Sequence, residues 1–227
     1  EILDVIISRG DPFPLSTPRL EEVLASVRAI KHVEIIRIGS RVPCVLPQRI
    51  DAELCAMLEK YHPLWINVQF NHPRECTDDA MLACNMLLRA GIPMNNQSVL
   101  LRGVNDDIET MRALVHGLLR MRVRPYYLFQ CDPVRGTEHF RTSLAQGISL
   151  VEQLRGHTSG LAVPTYVIDL PGGGGKVPVG PMFMMHYDER TGRAILRNFQ
   201  GRVFEYLDPG RDLPSVAPNY GMLELPC

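Results

Sequence analysis

Residues 97–130, QSVLLRGVNDDIETMRALVHGLLRMRVRPYYLFQ, hold one strand–helix–strand unit written out in full. Gln97–Arg102 and Pro125–Gln130 are short apolar runs of strand length, and Asp106–Met121 between them carries apolar residues at helical spacing. A helix joining two strands is a crossover between parallel neighbours, because antiparallel partners need only a tight turn.

The alternation repeats outward from this unit. Ile2–Ser8, Val33–Gly39 and Trp65–Phe70 read as further strands, and Thr17–Ile30, Asp51–Tyr61, Thr77–Ala90 and Ser143–Arg155 as helices. Thr17 before Pro18, Asp51 before Ala-Glu-Leu, and Thr77 before two aspartates are helix-start signals, while Gly91 is a stop. The fold class is therefore α/β with a parallel sheet. Residues of chemical interest collect just after the strands, at Ser8–Asp11, Gly39–Arg41, Asn71–Pro73 and Cys131–Asp132. That clustering suits a barrel, whose active site lies at the carboxyl ends of its strands. An open doubly wound sheet produces the same alternation, and periodicity does not separate the two.

After about Gly156 the rhythm changes to short strands, Thr165–Asp169, Met182–His186, Ala194–Phe199 and Val203–Tyr206, with Asp188–Gly192 as a hairpin connection. The stretch Leu207–Cys227 is rich in proline and reads as an arm that packs on a neighbour or stays flexible.

Composition narrows the function classes. A net charge of −1 over 227 residues gives no electrostatic footprint for nucleic acid. No apolar run reaches the roughly 18 residues that span a bilayer. The expectation is a cytoplasmic protein acting on small molecules, with an N-terminal part lost ahead of Glu1. The six cysteines, Cys44, Cys55, Cys76, Cys84, Cys131 and Cys227, lack the close spacing of a metal or cluster motif, so no metal ligand set is expected in this chain.

The most unusual segment is Asp169-Leu170-Pro171-Gly172-Gly173-Gly174-Gly175-Lys176. Its glycine run lets the backbone approach a ligand and delivers one lysine, whose amine is a Schiff-base nucleophile for an aldehyde cofactor. A flexible turn with a solvated lysine is the plain alternative. Asp132 and Asp169 each end a strand-like run, where two carboxylates facing one pocket would grip an ammonium group, or each would simply cap a turn. Gly10-Asp11 and Gly39-Ser40-Arg41 would together hold an amino-acid moiety, unless they are ordinary turn residues. His72 is a catalytic candidate or a loop histidine bonded to backbone.

Several ordered segments together resemble the lysine 2,3-aminomutase family of radical S-adenosylmethionine enzymes. They are 32–35 with 37–41, 45–50, 70–73, 96–106, 122–127, 154–160 and 171–176. The resemblance is to the C-terminal two-thirds of such chains. It implies a partial TIM barrel of radical SAM type over 1–158, holding the strand–helix units after the first. Residues 159–227 would form a small β-rich extension with the cofactor lysine and an oligomerisation arm, making a homo-oligomer.

It further implies that Lys176 carries pyridoxal phosphate as a Schiff base and that Asp132 and Asp169 bind the side-chain ammonium of the substrate, L-lysine. Ser8, Gly10 and Asp11 would lie beside S-adenosyl-L-methionine, with Ser40, Arg41 and Gln97 as further contacts. The implied reaction converts L-lysine to L-β-lysine by radical migration of the amino group. A reduced [4Fe–4S] cluster, whose three-cysteine motif lies upstream of Glu1 in this family, starts it by cleaving S-adenosylmethionine. Arg9 replaces a glycine of the family's Ser-Gly-Gly-Asp turn, and Asp107 replaces a zinc-binding cysteine of the best-known members, so no zinc is expected. A related aminomutase for another amino acid and a non-catalytic pyridoxal-phosphate-binding module are the competing readings.

Overall fold

The structure is a computed structural model that describes residues 2–8 and 10–208. Arg9, the arm beyond residue 208 and Cys227 lie outside the described residues. One sheet contains β1 (Asp4–Ile7), β2 (Ile35–Ser40), β3 (Leu64–Val68), β4 (Met94–Leu100), β5 (Arg124–Gln130), β6 (Thr165–Leu170) and β7 (Gly175–Pro178), hydrogen-bonded in that order. Strands β1 to β6 are parallel and β7 runs antiparallel to β6.

This order decides what periodicity left open. A doubly wound sheet reverses its strand order at a switch point, whereas here every crossover steps the same way, which is the winding of a barrel. No pairing joins β1 to β7, so the barrel is open along one side. The sheet also continues through β6 and β7, past residue 158.

The connecting helices are α1 (Thr17–Arg28), α2 (Val42–Val45), α3 (Ala52–Glu59), α4 (Asp78–Arg89), α5 (Ile108–Arg120) and α6 (Leu144–Leu154). The core forms where they cover the sheet: Ile36, Ile38, Leu64, Ile66 and Leu128 pack with Leu20, Leu54, Leu87, Leu114 and Leu154. Along β4 burial alternates, with Met94, Asn96, Ser98 and Leu100 buried and Asn95, Gln97 and Val99 half-buried on the opposite, concave face.

The helix starts follow local chemistry. Asp51 accepts from Leu54 N at 2.8 Å, Thr77 from Ala80 N at 3.2 Å and Ser143 from Gln146 N at 3.2 Å. Asp107 caps α5 by accepting from Thr110 N at 2.8 Å, and neighbouring Asp106 closes the preceding loop on Gly103 N. Gly91 ends the α4 turn at φ +72°.

Two features of the sheet differ from expectation. Strand β4 begins at Met94, before the expected Gln97, because the polar Asn95–Asn96 pair reads as loop. Strand β7 exists because it pairs with β6, a non-local contact that no local pattern announces. A second sheet, β8 (Met184–Asp188), β9 (Arg193–Arg197) and β10 (Val203–Leu207), is antiparallel in the order β10-β9-β8. Its first hairpin turns at Asp188–Gly192, as expected, and the Arg197–Glu152 ion pair at 2.6 Å ties the sheet to α6.

Candidate active site at the carboxyl ends of the strands

Lys176 is placed by backbone geometry. After β6 the chain reverses through Gly172 (φ +69°), Gly173 (φ +80°) and Gly175 (φ +79°), conformations that only glycine adopts without strain. Lys176 then pairs in register with Asp169, its Nζ 2.5 Å from Asp169 Oδ1. The same Nζ lies 4.4 Å from the centroid of the Phe129 ring and 5.9 Å from that of Tyr127. The amine is thus held against an aromatic wall while its side chain remains 35% exposed, open to a reagent.

A bulge builds that wall. Asn96 pairs with Pro125 but Gln97 pairs with Tyr127, so Tyr126 is an extra residue in β5, and bulges of this kind re-aim side chains near functional sites. Asp132 follows β5, the strand beside β6. It is exposed, and among the described residues its carboxylate makes no hydrogen bond or ion pair, while its carbonyl accepts from Val134 N at 2.8 Å. Asp132 and Asp169 therefore end adjacent strands, but only Asp169 has a cationic partner.

The loops after β1, β2 and β3 are joined by carboxylates. Asp11 accepts from Phe13 N at 3.1 Å, Ser40 Oγ at 2.8 Å and Arg41 N at 2.6 Å. Ser40 is 1% exposed and its oxygen also accepts from Val42 N, so it positions Asp11 and offers no surface to a ligand. Gly10, at φ +70°, and Ser8 are exposed beside this junction. Arg41 Nη2 pairs with Glu75 Oε1 at 2.6 Å, and Glu75 Oε2 accepts from Asn71 N and His72 N. Gln97 lies half-buried on the concave face with no side-chain hydrogen bond among the described residues.

His72 is the backbone-bonded loop histidine of the plainer reading: its Nδ1 accepts from Arg74 N at 3.1 Å. Glu75 was missed in the sequence, although a cap residue followed three positions later by Glu is a readable capping-box signal. Asn96, Ser98 and Asn105 were also missed as individuals. Asn96 bonds both Phe70 N (2.7 Å) and Phe70 O (3.1 Å), Ser98 donates to Phe70 O, and Asn105 donates to Asn71 O (2.8 Å), so the matched 96–106 block pins the loop after β3.

Burial pushes the thiols of Cys44, Cys55 and Cys76 up to about 11 and that of Cys84 to about 12. Among the described residues no three of His, Cys, Asp or Glu group to hold a metal ion. This part of the chain does not fit a cluster, whereas the accessible amine of Lys176 beside its aromatic wall fits an aldehyde cofactor.

The family model described as Lysine-2,3-aminomutase matches residues 151–224. L-lysine 2,3-aminomutase from Fusobacterium nucleatum is 56% identical over 209 residues, 92% of this chain and 49% of its own length. The chain belongs to the lysine 2,3-aminomutase family. The L-lysine 2,3-aminomutase of Clostridium subterminale is 53% identical over 92% of the chain and 50% of its own length. The family also includes a glutamate 2,3-aminomutase from Clostridioides difficile, 45% identical over 95% of the chain and 51% of its own. The chain spans about half the length of these curated relatives.

The fold is an open parallel half-barrel shared with solved structures. SuiB from Streptococcus suis superposes with a TM-score of 0.53 at 11% identity, covering 74% of this chain and 40% of that one. A domain of a pyruvate-formate lyase-activating enzyme from Bacteroides vulgatus gives 0.51 at 12% identity, covering 72% and 97%. At such identities these likenesses concern the fold alone. No helix among the described residues of this lysine 2,3-aminomutase family chain is long and apolar enough to cross a membrane.

Proposed function

We propose that this chain supplies the substrate-binding and cofactor-binding part of an L-lysine 2,3-aminomutase, which moves the amino group of L-lysine from C2 to C3. The observation that carries the reading is the Lys176–Asp169 pair beside Phe129, with Asp132 ending the adjacent strand. When bound, pyridoxal phosphate supplies an aldehyde carbon that holds the migrating nitrogen during its transfer. Lys176 anchors that group. Lys176 would hold that group until the α-amine of the substrate takes its place, and Asp169 with Asp132 would hold the ε-ammonium of the substrate.

The loops joined through Asp11, Arg41 and Glu75 border the place for S-adenosylmethionine, with Gly10 facing open space and Gln97 making no side-chain hydrogen bond that a ligand would have to displace. The [4Fe–4S] cluster draws its ligands from outside the described residues. Glutamate as substrate is disfavoured by charge, since its γ-carboxylate would meet two carboxylates instead of two counter-charges.

The test is reductive trapping. The chain has three lysines, Lys31, Lys60 and Lys176, and Lys60 is paired with Glu21 at 3.0 Å. Incubation with pyridoxal phosphate followed by borohydride should label the Lys176 peptide, and Lys176→Ala should remove that label. Labelling confined to Lys31 and Lys60 would overturn the assignment.

A further inference from the structure

At the amino ends of β1 to β5 the concave face holds a cavity of about 300 Å³, lined by Arg37, Trp65, Asn67, Asn95, Arg124 and Tyr126. It lies at the opposite end of the strands from Asp11, Asp132 and Lys176, and no residue of the proposed reaction lines it. Its size is that of a site for a small molecule.

Three features of this recess point to a ligand. Asp4 grips Arg37 at two points, Nε to Oδ1 at 2.9 Å and Nη2 to Oδ2 at 2.8 Å, which fixes the plane of the guanidinium. The Arg124 guanidinium has no hydrogen bond or ion pair among the described residues, so two cations face one carboxylate and the recess keeps a surplus positive charge. Asn67, 0% exposed, leaves both Nδ2 and Oδ1 without a partner. A buried amide unpartnered at both atoms is rare, and an absent ligand or water is the usual reason. The β5 bulge sets Tyr126 on the same cavity lining as Arg37 and Arg124.

We propose that this basal cavity binds a small anion, a phosphate or carboxylate group seated between Arg37 and Arg124 with the Asn67 amide donating to it. Planar guanidinium forks match the oxygens of either group, and a walled recess strengthens the contact. The inference does not rest on the reading of Lys176.

Trp65 is the single tryptophan of the chain and lines the cavity, so its emission reports on this site alone. Quenching is measured with iodide and with neutral acrylamide while inorganic phosphate, or acetate in a parallel arm, replaces chloride at constant ionic strength. The expected result is saturable protection of Trp65 from iodide by phosphate or acetate, weakened at least about tenfold by Arg124→Gln and largely retained by Arg124→Lys. Asn67→Leu should weaken it too, with the circular dichroism of the native fold preserved. Absence of saturable protection by both anions, or equal protection in the R37Q/R124Q double variant, overturns the proposal.

Discussion

Lys176 Nζ and Asp169 Oδ1 stand 2.5 Å apart across the antiparallel pair of β7 and β6, so the candidate cofactor lysine and a candidate substrate carboxylate hold each other in this state. The pair is a third or more exposed on both sides, and exposed pairs contribute little to stability. Under the proposed function the same carboxylate would also take the ε-ammonium of the substrate.

Asp169→Asn should therefore cost less than about 1 kcal/mol in urea unfolding of this chain. In the full-length enzyme, Asp169→Asn and Asp132→Asn should each lower kcat/KM for lysine by roughly ten- to a hundred-fold, the loss of one charge-assisted bond of on the order of 1–3 kcal/mol. The double variant should lose far more, because the ammonium would sit without any counter-charge. Unchanged kcat/KM in both single variants would make the two aspartates structural.

The buried and half-buried thiols set a pH dependence. Folding raises Cys44, Cys55 and Cys76 from 9.0 to about 11 and Cys84 to about 12, so the folded chain holds protons that the unfolded chain releases. Their contribution to stability is complete below pH 9 and falls as pH rises through about 11. Native-state alkylation by iodoacetamide at pH 8 should run roughly a hundred-fold slower at Cys44, Cys55 and Cys76, and roughly a thousand-fold slower at Cys84, than in urea, following the thiolate fraction. Rapid labelling of Cys84 in the native chain would contradict its burial.

Anaerobic reconstitution of the chain with iron and sulfide should leave no stable [4Fe–4S] absorbance or electron paramagnetic signal. Among the described residues the thiols are scattered, with no three ligand side chains grouped to hold a metal. A well-defined cluster signal would show that cysteines of this chain converge.

Asp11 accepts three donors from two loops, and Asp11→Ala leaves Ser40 Oγ and the Arg41 and Phe13 amides without it. Destabilisation of about 2–3 kcal/mol in urea is expected, from the unmet donors. A loss below about 0.5 kcal/mol would mean that water replaces the carboxylate fully.

Asn67→Leu should act in the opposite direction. Replacing a buried amide without partners by an apolar group of similar size removes its desolvation penalty, on the order of 1 kcal/mol, and should raise Tm by roughly 2–4 °C. A lower Tm would show that the amide is satisfied in solution.

Local sequence determined the elements. The caps at Asp51, Thr77 and Ser143, the stop at Gly91, the Asp188–Gly192 hairpin and the strand–helix alternation are all short-range chemistry, carried by residues a few positions apart. The glycine run before Lys176 was legible for the same reason, since positive φ at Gly172, Gly173 and Gly175 is a property of those residues themselves. Tertiary structure decided the rest. Whether the sheet winds as a barrel depends on which strand lies beside which, and periodicity records only which face each residue shows. Strand β7, the bulge at Tyr126, the pairing of Lys176 with Asp169 and the basal recess each depend on partners brought from another strand, so no local pattern held them. Asn67 is the clearest case: in the sequence it is one polar residue in a strand, and only packing from β2 and β4 on either side buries its amide without a partner.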